Sequence, residues 1–363
     1  VADLLLITGG GTGGHVSPGL GVASEWLRRQ GLGSVAWVGR KGGIEEAMAS
    51  KAGLPFHPVE AAALKRRLSA ANFALPAVLL RGLRQADALI RERRPAAVLM
   101  TGGYVGMPLG LAALKTRTPL VLLEPNAVPG LANRLLKPFS AKLCLGWPPK
   151  GRLGGKEALT GIPCRLSVPG PDPRASRAAF GLQEGRRTLL IMPGSQAAKS
   201  VNAALRGALP GFADRADAWQ WLWMCGPSEL DACEAAAGAA PFLVRVRGFI
   251  DDVASAYAAA DAVLCRSGAS TLAELGVAAK PSLQVPYPHA TGDHQRANAA
   301  AFARRGAAKV LDERGLDPGA LDRGLRDLLD GDLETMARAA RALGRPEAAA
   351  NVADVLEAAK GRP

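Results

Sequence analysis

The stretch that decides the fold is Leu4-Leu5-Leu6-Ile7-Thr8-Gly9-Gly10-Gly11-Thr12-Gly13-Gly14-His15, an apolar run that passes straight into a turn built almost wholly of glycine. The apolar run reads as a strand, and a helix-like segment begins near Pro18, giving strand, glycine turn, helix. Glycine lets the backbone take positive φ and approach a ligand closely. The helix behind it offers unpaired N–H groups and the positive end of its dipole. A phosphate or diphosphate suits such a turn. A tight βα turn without a ligand is the alternative.

Outward from this turn the pattern repeats. Residues 19–29 and 43–51 read as helices, and 35–38 and 56–59 as strands. A second glycine turn, Thr101-Gly102-Gly103-Tyr104, follows a strand at 97–100, and a strand at 120–123 leads into Glu124-Pro125-Asn126. Short apolar runs alternating with helices imply a parallel sheet covered on both faces, with ligands beyond the carboxyl ends of its strands. The stretch 161–173, dense in Gly and Pro, reads as a linker. Beyond it the logic restarts: a strand at 188–192, the turn Pro193-Gly194-Ser195, a helix at 201–209, and strands at 222–225 and 243–246. A strand at 262–265 then ends in Arg266-Ser267-Gly268-Ala269-Ser270-Thr271-Leu272-Ala273-Glu274. The tail from Leu333 is Ala-rich and helical, with one break at 344–346.

A length of 363 residues predicts two domains of roughly 150 to 200 residues each. Hydrophobic residues make up 48% and charged residues 21%, which excludes a disordered chain. Lys+Arg 45 against Asp+Glu 32 gives a net charge of +13, favouring anionic partners without choosing among nucleic acid, phosphorylated substrate or membrane. Cys144, Cys164, Cys225, Cys233 and Cys265 show no CxxC pair and no metal-ligand spacing, so reduced structural thiols are expected, with neither disulfide nor zinc. No export signal is expected, because the apolar run at 4–7 has no basic segment before it and runs straight into glycine. The long uncharged stretch 95–114 is broken by Gly102, Gly103, Gly106 and Pro108, so it does not read as a transmembrane helix.

Gly9, Gly11 and Gly14 fit G-x-G-x-x-G, so an NADP-dependent oxidoreductase is one reading. The next strand ends Val38-Gly39-Arg40-Lys41, without an acid for an NAD ribose, although Arg40 suits a 2′-phosphate. No Gly-Lys-Ser/Thr follows the turn, which excludes a Walker A loop, and Asp330-Gly331-Asp332 reads as a turn ending a helix.

Six motifs occur in a fixed order: Gly10-Gly11-Thr12-Gly13-Gly14-His15, Gly102-Gly103-Tyr104, Asn126-Ala127-Val128-Pro129-Gly130, Gly194-Ser195-Gln196, Arg266-Ser267-Gly268-Ala269 and Asp293-His294-Gln295. In these the chain resembles the MurG family of peptidoglycan N-acetylglucosaminyltransferases over nearly its whole length. The resemblance implies an α/β protein of GT-B fold, two Rossmann-like doubly wound parallel-sheet domains facing a cleft. Residues 1–163 would form the acceptor and membrane-associating domain, with a C-terminal helix in 346–363 packing back on it, and 164–345 the UDP-GlcNAc domain. It also implies an inverting, metal-independent transfer of GlcNAc from UDP-GlcNAc to undecaprenyl-diphosphate-linked MurNAc-pentapeptide, at the cytoplasmic face of the cell membrane, with no cofactor and no nucleic-acid partner. Carried over by motif, the UDP-GlcNAc contacts are Thr12, Gly13, Gly14, Asn126, Arg165, Ser195, Ile250, Ala269, Ser270, Thr271, Leu272, Ala273, Glu274 and Gln295. Gly102, Gly103 and Tyr104 fall on the acceptor side.

The chain departs from the family at two places. Pro193-Gly194-Ser195-Gln196-Ala197-Ala198 stands where Gly-Gly-Ser-Gln-Gly-Ala is usual, and Leu123-Glu124-Pro125-Asn126 where His-Glu-Gln-Asn is usual. The second change removes two polar side chains from the site as the motif describes it. A non-catalytic nucleotide-sugar binder would keep the same motifs.

Three chemical expectations follow. Glu274, read as opening a helix after a small-residue turn, would present an exposed carboxylate to a ribose; a helix-dipole acid is the alternative. His15 would be the general base for the acceptor hydroxyl, because imidazole titrates near neutral pH; a donor to the diphosphate is the alternative, with Glu124 the next candidate base. Lys65, Arg66 and Arg67, then Phe73, Leu75, Pro76, Val78, Leu79 and Leu80, then Arg81 and Arg84, read either as a membrane-contact surface or as an amphipathic core helix. The resemblance favours the anionic membrane, through Phe73, Leu75, Leu79 and Leu80.

Overall fold

The computed structural model describes residues 3–62, 75–149, 151–166, 168–194 and 198–360. The chain divides into two compact units, Val1–Cys164 together with Glu347–Pro363, and Arg165–Pro346.

In the first unit β1 (Leu5–Thr8), β2 (Val35–Gly39), β3 (Phe56–Pro58), β4 (Ala97–Met100), β5 (Leu120–Glu124), β6 (Lys142–Leu145) and β7 (Glu157–Leu159) form one parallel sheet in the order β3-β2-β1-β4-β5-β6-β7. Leu5 lies opposite both Val35 and Ala97, and Thr8 opposite both Val38 and Met100. Successive residues serve opposite faces: Leu5 and Ile7 pack with Trp26, Trp37 and Val352, whereas Leu6 packs with Val98, Leu109 and Leu122. A sheet covered on both faces requires strands that are apolar at every position, which is why these runs do not alternate. The strand order reverses between β1 and β4, so the glycine turns after these two strands lie side by side at the switch point.

The helix after β1 spans Gly13–Gln30, not 19–29, and contains Pro18. The first four N–H groups of a helix have no internal partner, so a proline this close to the start removes only the ladder bond to Gly14. Gly13, Gly14 and His15 therefore form the first helical turn instead of a loop before it.

The second unit repeats the plan with β8 (Arg187–Met192), β9 (Trp219–Met224), β10 (Val244–Arg247), β11 (Ala262–Cys265), β12 (Ser282–Gln284) and β13 (Ala308–Val310), all parallel, in the order β10-β9-β8-β11-β12-β13. Its switch point lies between β8 and β11. Trp219, Trp221 and Trp223 send alternate side chains into one core, where Trp221 meets Phe212 and Phe242 edge-on, each at 5.1 Å between ring centres. The strands β6, β7, β12 and β13 were not anticipated. With three or four residues each, they carry too little pattern to read alone.

The helix Ala348–Ala359 returns to the first unit, burying Val352, Ala353 and Leu356 beside Trp26. Arg29 pairs with Asp354 at 2.6 Å, and the Lys360 ammonium lies 4.3 Å from the Trp26 ring centre. Among the described residues Cys144, Cys225, Cys233 and Cys265 are free, and no helix is long and apolar enough to cross a membrane.

Candidate active site

At the first switch point the two glycine turns are packed too closely for side chains. Gly11, Gly102 and Gly103 have φ of +81°, +100° and +81°, and a Cβ on Gly103 would stand 2.4 Å from the Gly10 carbonyl oxygen. The His15 ring lies against this second turn, 3.1 Å from where a Gly102 Cβ would sit. His15 N–H donates to the Thr12 carbonyl at 3.1 Å, its own carbonyl accepts from Thr101 Oγ1 at 2.6 Å, and its Nδ1 lies 3.2 Å from Thr12 Oγ1. If Nδ1 carries the ring hydrogen and donates it to Thr12, Nε2 is left as a proton acceptor. The Tyr104 ring covers Gly11, 3.1 Å from where its Cβ would be.

Sequence reasoning missed Glu45. It sits in the first turn of the helix Ile44–Lys51, where an acid reads as a dipole partner. It is instead buried, at 1% exposure, beneath the glycine turn. Its carboxylate accepts from Gly11 N–H at 3.3 Å and Arg40 N–H at 3.1 Å; a Cβ on Gly10 or Gly43 would come within 2.6 or 2.4 Å of that carboxylate, and one on Gly39 within 2.7 Å of the Glu45 Cγ. Part of the glycine richness therefore makes room for a carboxylate. The Gly11 N–H, one of the turn amides read as suiting a phosphate, is thus already bonded to a side chain. Thr12 stands at the N-cap of the helix, and Gly13 and Gly14 open it.

At the end of β5, Glu124 is buried and accepts hydrogen bonds from Asn126 and Gly130 backbone N–H and from Asn126 and Asn133 side chains. Leu123 is in the core and faces no site, and the Pro125 carbonyl accepts from Trp147 Nε1 at 2.9 Å.

In the second unit β8 leads into Pro193 and Gly194 (φ +100°); Ser195, with Gln196 and Ala197, lies outside the described residues. The Ala269–Val277 helix begins after Gly268 and carries Ala269, Ser270, Thr271, Leu272, Ala273 and Glu274. Glu274 does not open this helix. It sits one and a half turns in, 7% exposed, accepting from the Tyr257 hydroxyl at 3.3 Å. Burial pushes its carboxyl up to about 7, opposed by the positive charge of Arg165 and by the Tyr257 hydrogen bond. The exposed-carboxylate expectation fails because the helix already starts at Ala269, turning position 274 inward. Ile250 is buried, Arg165 exposed, and the Gln295 Oε1 accepts from Tyr287 N–H at 2.9 Å, leaving its amide NH2 as the donor toward a ligand. Arg266, whose charge a diphosphate would attract, is bonded through both Nη atoms to Glu313 at 2.6 and 3.0 Å and also donates to the Val285 carbonyl. Among the described residues no group of three His, Cys, Asp or Glu side chains could hold a metal ion.

Residues 5–144 match the glycosyltransferase family 28 N-terminal domain and residues 188–355 the glycosyltransferase family 28 C-terminal domain. The UDP-N-acetylglucosamine--N-acetylmuramyl-(pentapeptide) pyrophosphoryl-undecaprenol N-acetylglucosamine transferase of Stutzerimonas stutzeri (strain A1501) is 39% identical, over 99% of this chain and 100% of that one. The chain belongs to glycosyltransferase family 28, in its MurG branch. The enzyme of the same description from Burkholderia thailandensis is 37% identical, over 98% of this chain and 96% of its own. The crystal structure of Acinetobacter baumannii MurG superposes with a TM-score of 0.79 at 29% identity, covering 98% of this chain and 99% of that one. The calicheamicin glycosyltransferase CalG4, at 18% identity and a TM-score of 0.69, shares the fold. Of the MurG-branch motifs read from the sequence, those after β1, β4 and β11, with Gly194 after β8, stand at the switch points of two doubly wound units, as in a GT-B glycosyltransferase, while Asn126–Gly130 follows β5 and Asp293, His294 and Gln295 come after β12.

Proposed function

We propose that this protein transfers GlcNAc from UDP-GlcNAc to the C4 hydroxyl of undecaprenyl-diphosphate-linked MurNAc-pentapeptide, with inversion, forming lipid II. The observation that carries this reading is the coincidence of end-to-end similarity to transferases of that description with motif turns that follow the carboxyl ends of the strands in two doubly wound units, those after β1, β4 and β11 at their switch points. His15 takes the hydroxyl proton as the acceptor oxygen bonds to the anomeric carbon and the bond to UDP breaks. Thr12, Gly13, Gly14 and Asn126, and in the second unit Arg165, Ser195, Ile250, Ala269–Glu274 and Gln295, contact the donor. Gly102, Gly103 and Tyr104 face the acceptor. Charge building on the leaving diphosphate is met by N–H groups at the start of the Ala269–Val277 helix, with no divalent cation. An NADP oxidoreductase is disfavoured because the Glu45 carboxylate occupies the N–H that a dinucleotide diphosphate would use.

We further propose that the first unit rests on the anionic cytoplasmic face of the membrane. Phe73 lies outside the described residues; Leu75 and Leu79 are half-buried and Leu80 is exposed. A second apolar surface adjoins the helix Leu131–Leu136, where Leu131, Leu135 and Phe139, spaced four apart, are 63%, 54% and 69% exposed beside Arg134.

The test is transfer of labelled GlcNAc from UDP-GlcNAc to a lipid-linked MurNAc acceptor. Turnover by the wild type is expected, and its absence in folded protein overturns the reading. His15→Ala should lower kcat/KM by roughly 10²–10⁴-fold and remove the acidic limb of its pH profile. Retention of that limb assigns His15 another role.

A further inference from the structure

A general base needs a lone pair free to receive the proton. An ionised carboxylate has about four acceptor directions, and at Glu124 four donors meet them. Oε1 accepts from Asn126 N–H at 3.0 Å and Asn126 Nδ2 at 3.2 Å; Oε2 accepts from Gly130 N–H at 2.9 Å and Asn133 Nδ2 at 2.9 Å. The side chain is 2% exposed. These bonds fasten both ends of the turn after β5, from Asn126 to Gly130, and Trp147 holds the same turn through the Pro125 carbonyl at 2.9 Å.

The fastening extends toward His15. The Asn133 amide that donates to Glu124 also donates to the Leu123 carbonyl at 3.1 Å. It lies 3.7 Å from where a Cβ on Gly102 would sit, and the His15 ring lies 3.1 Å from the same point. The turns carrying Asn126, Gly102 and His15 thus meet around one buried carboxylate and one buried amide, which gives each a fixed position relative to the others.

We propose that Glu124 is a positioning residue for the transfer reaction and not its proton acceptor: its carboxylate sets the 125–130 turn and, through Asn133, the Gly102–Gly103 turn against which His15 rests. The proposal rests on the transferase reading for its kinetic arm alone; its structural arm is read without turnover.

The structural arm is amide hydrogen exchange. Glu124→Gln keeps the size of the side chain but turns an NH2 group toward two of the four donors, so one side of the clamp must open. Exchange at Asn126 and Gly130 should quicken by about tenfold or more, the equivalent of one lost hydrogen bond, while amides of β8 and β9 are unchanged. In the kinetic arm kcat/KM should fall by about 10²-fold, the effect of misplacing reacting groups, with the acidic limb of its pH profile kept. Unchanged exchange at Asn126 and Gly130, or a lost acidic limb, overturns the proposal. If Glu124→Gln does not fold, Asn133→Leu removes a single donor and should give the same pattern at smaller size. If the wild type itself shows no transfer, the transferase reading fails while the exchange result still decides the clamp.

Discussion

Glu274 keeps a proton in the folded protein over a range where the unfolded chain has lost it. Its carboxyl is raised from 4.5 to about 7 by burial, so between these values the native state binds one more proton than the unfolded state. Stability therefore falls as pH rises through that window, by on the order of 3 kcal/mol in total, and is steady above it. Glu274→Gln should remove this fall, so that the urea midpoint no longer drops from pH 5 to pH 8 as in the wild type; His57, which burial holds below its usual range, adds stability as pH rises through the same window. The same slope in the variant removes Glu274 as its source. Cys144 and Cys225, both pushed up to about 12 by burial, stay protonated across this window and add nothing to it.

Among the elements, two helices of the first unit use their apolar residues differently. In the helix Leu75–Arg93 the residues Gly82, Ala86 and Ile90 face the interior, and a Cβ on Gly82 would stand 2.0 Å from the Glu60 carbonyl oxygen, so that face is core. In the helix Leu131–Leu136, Asn133 and Leu136 are buried while Leu131 and Leu135 point to solvent, and Phe139 continues their row. Replacing Leu135 and Phe139 by Ser should weaken co-sedimentation with anionic vesicles about tenfold or more, each large apolar side chain contributing on the order of 1.5–3 kcal/mol when buried. Thermal stability and UDP binding should be unchanged, because neither side chain is in the core. Equal vesicle binding moves the membrane surface elsewhere.

For the whole molecule, the chain crosses from one unit to the other at 164–165 and returns at 346–347. The last helix gives Val352 and Leu356 to the core around Trp26, each 0% exposed. Ending the chain after Pro346 strips that core, and the two aliphatic side chains alone are worth about 1.5–3 kcal/mol each. The shortened protein should show an early melting transition and rapid proteolysis within 3–164. Residues 165–346, which keep all their own strands, should melt as before. A single unshifted transition would show that the helix is dispensable.

The doubly wound pattern was legible in the sequence because it is local: a strand buried on both faces must be apolar throughout, and a turn such as Gly102-Gly103 needs positive φ wherever it occurs. The order of the motifs gave the family for the same reason, being a linear property of the chain. The carboxylates were not legible. Glu45, Glu124 and Glu274 are one residue type, yet the first is bonded beneath a glycine turn 34 positions away, the second is closed in by three donors from the turn that follows it and one from the helix beyond, and the third is desolvated beside a tyrosine 17 positions back. Whether a carboxylate is free, fastened or held near neutrality depends on which donors and how much water surround it, and the tertiary structure alone brings those together.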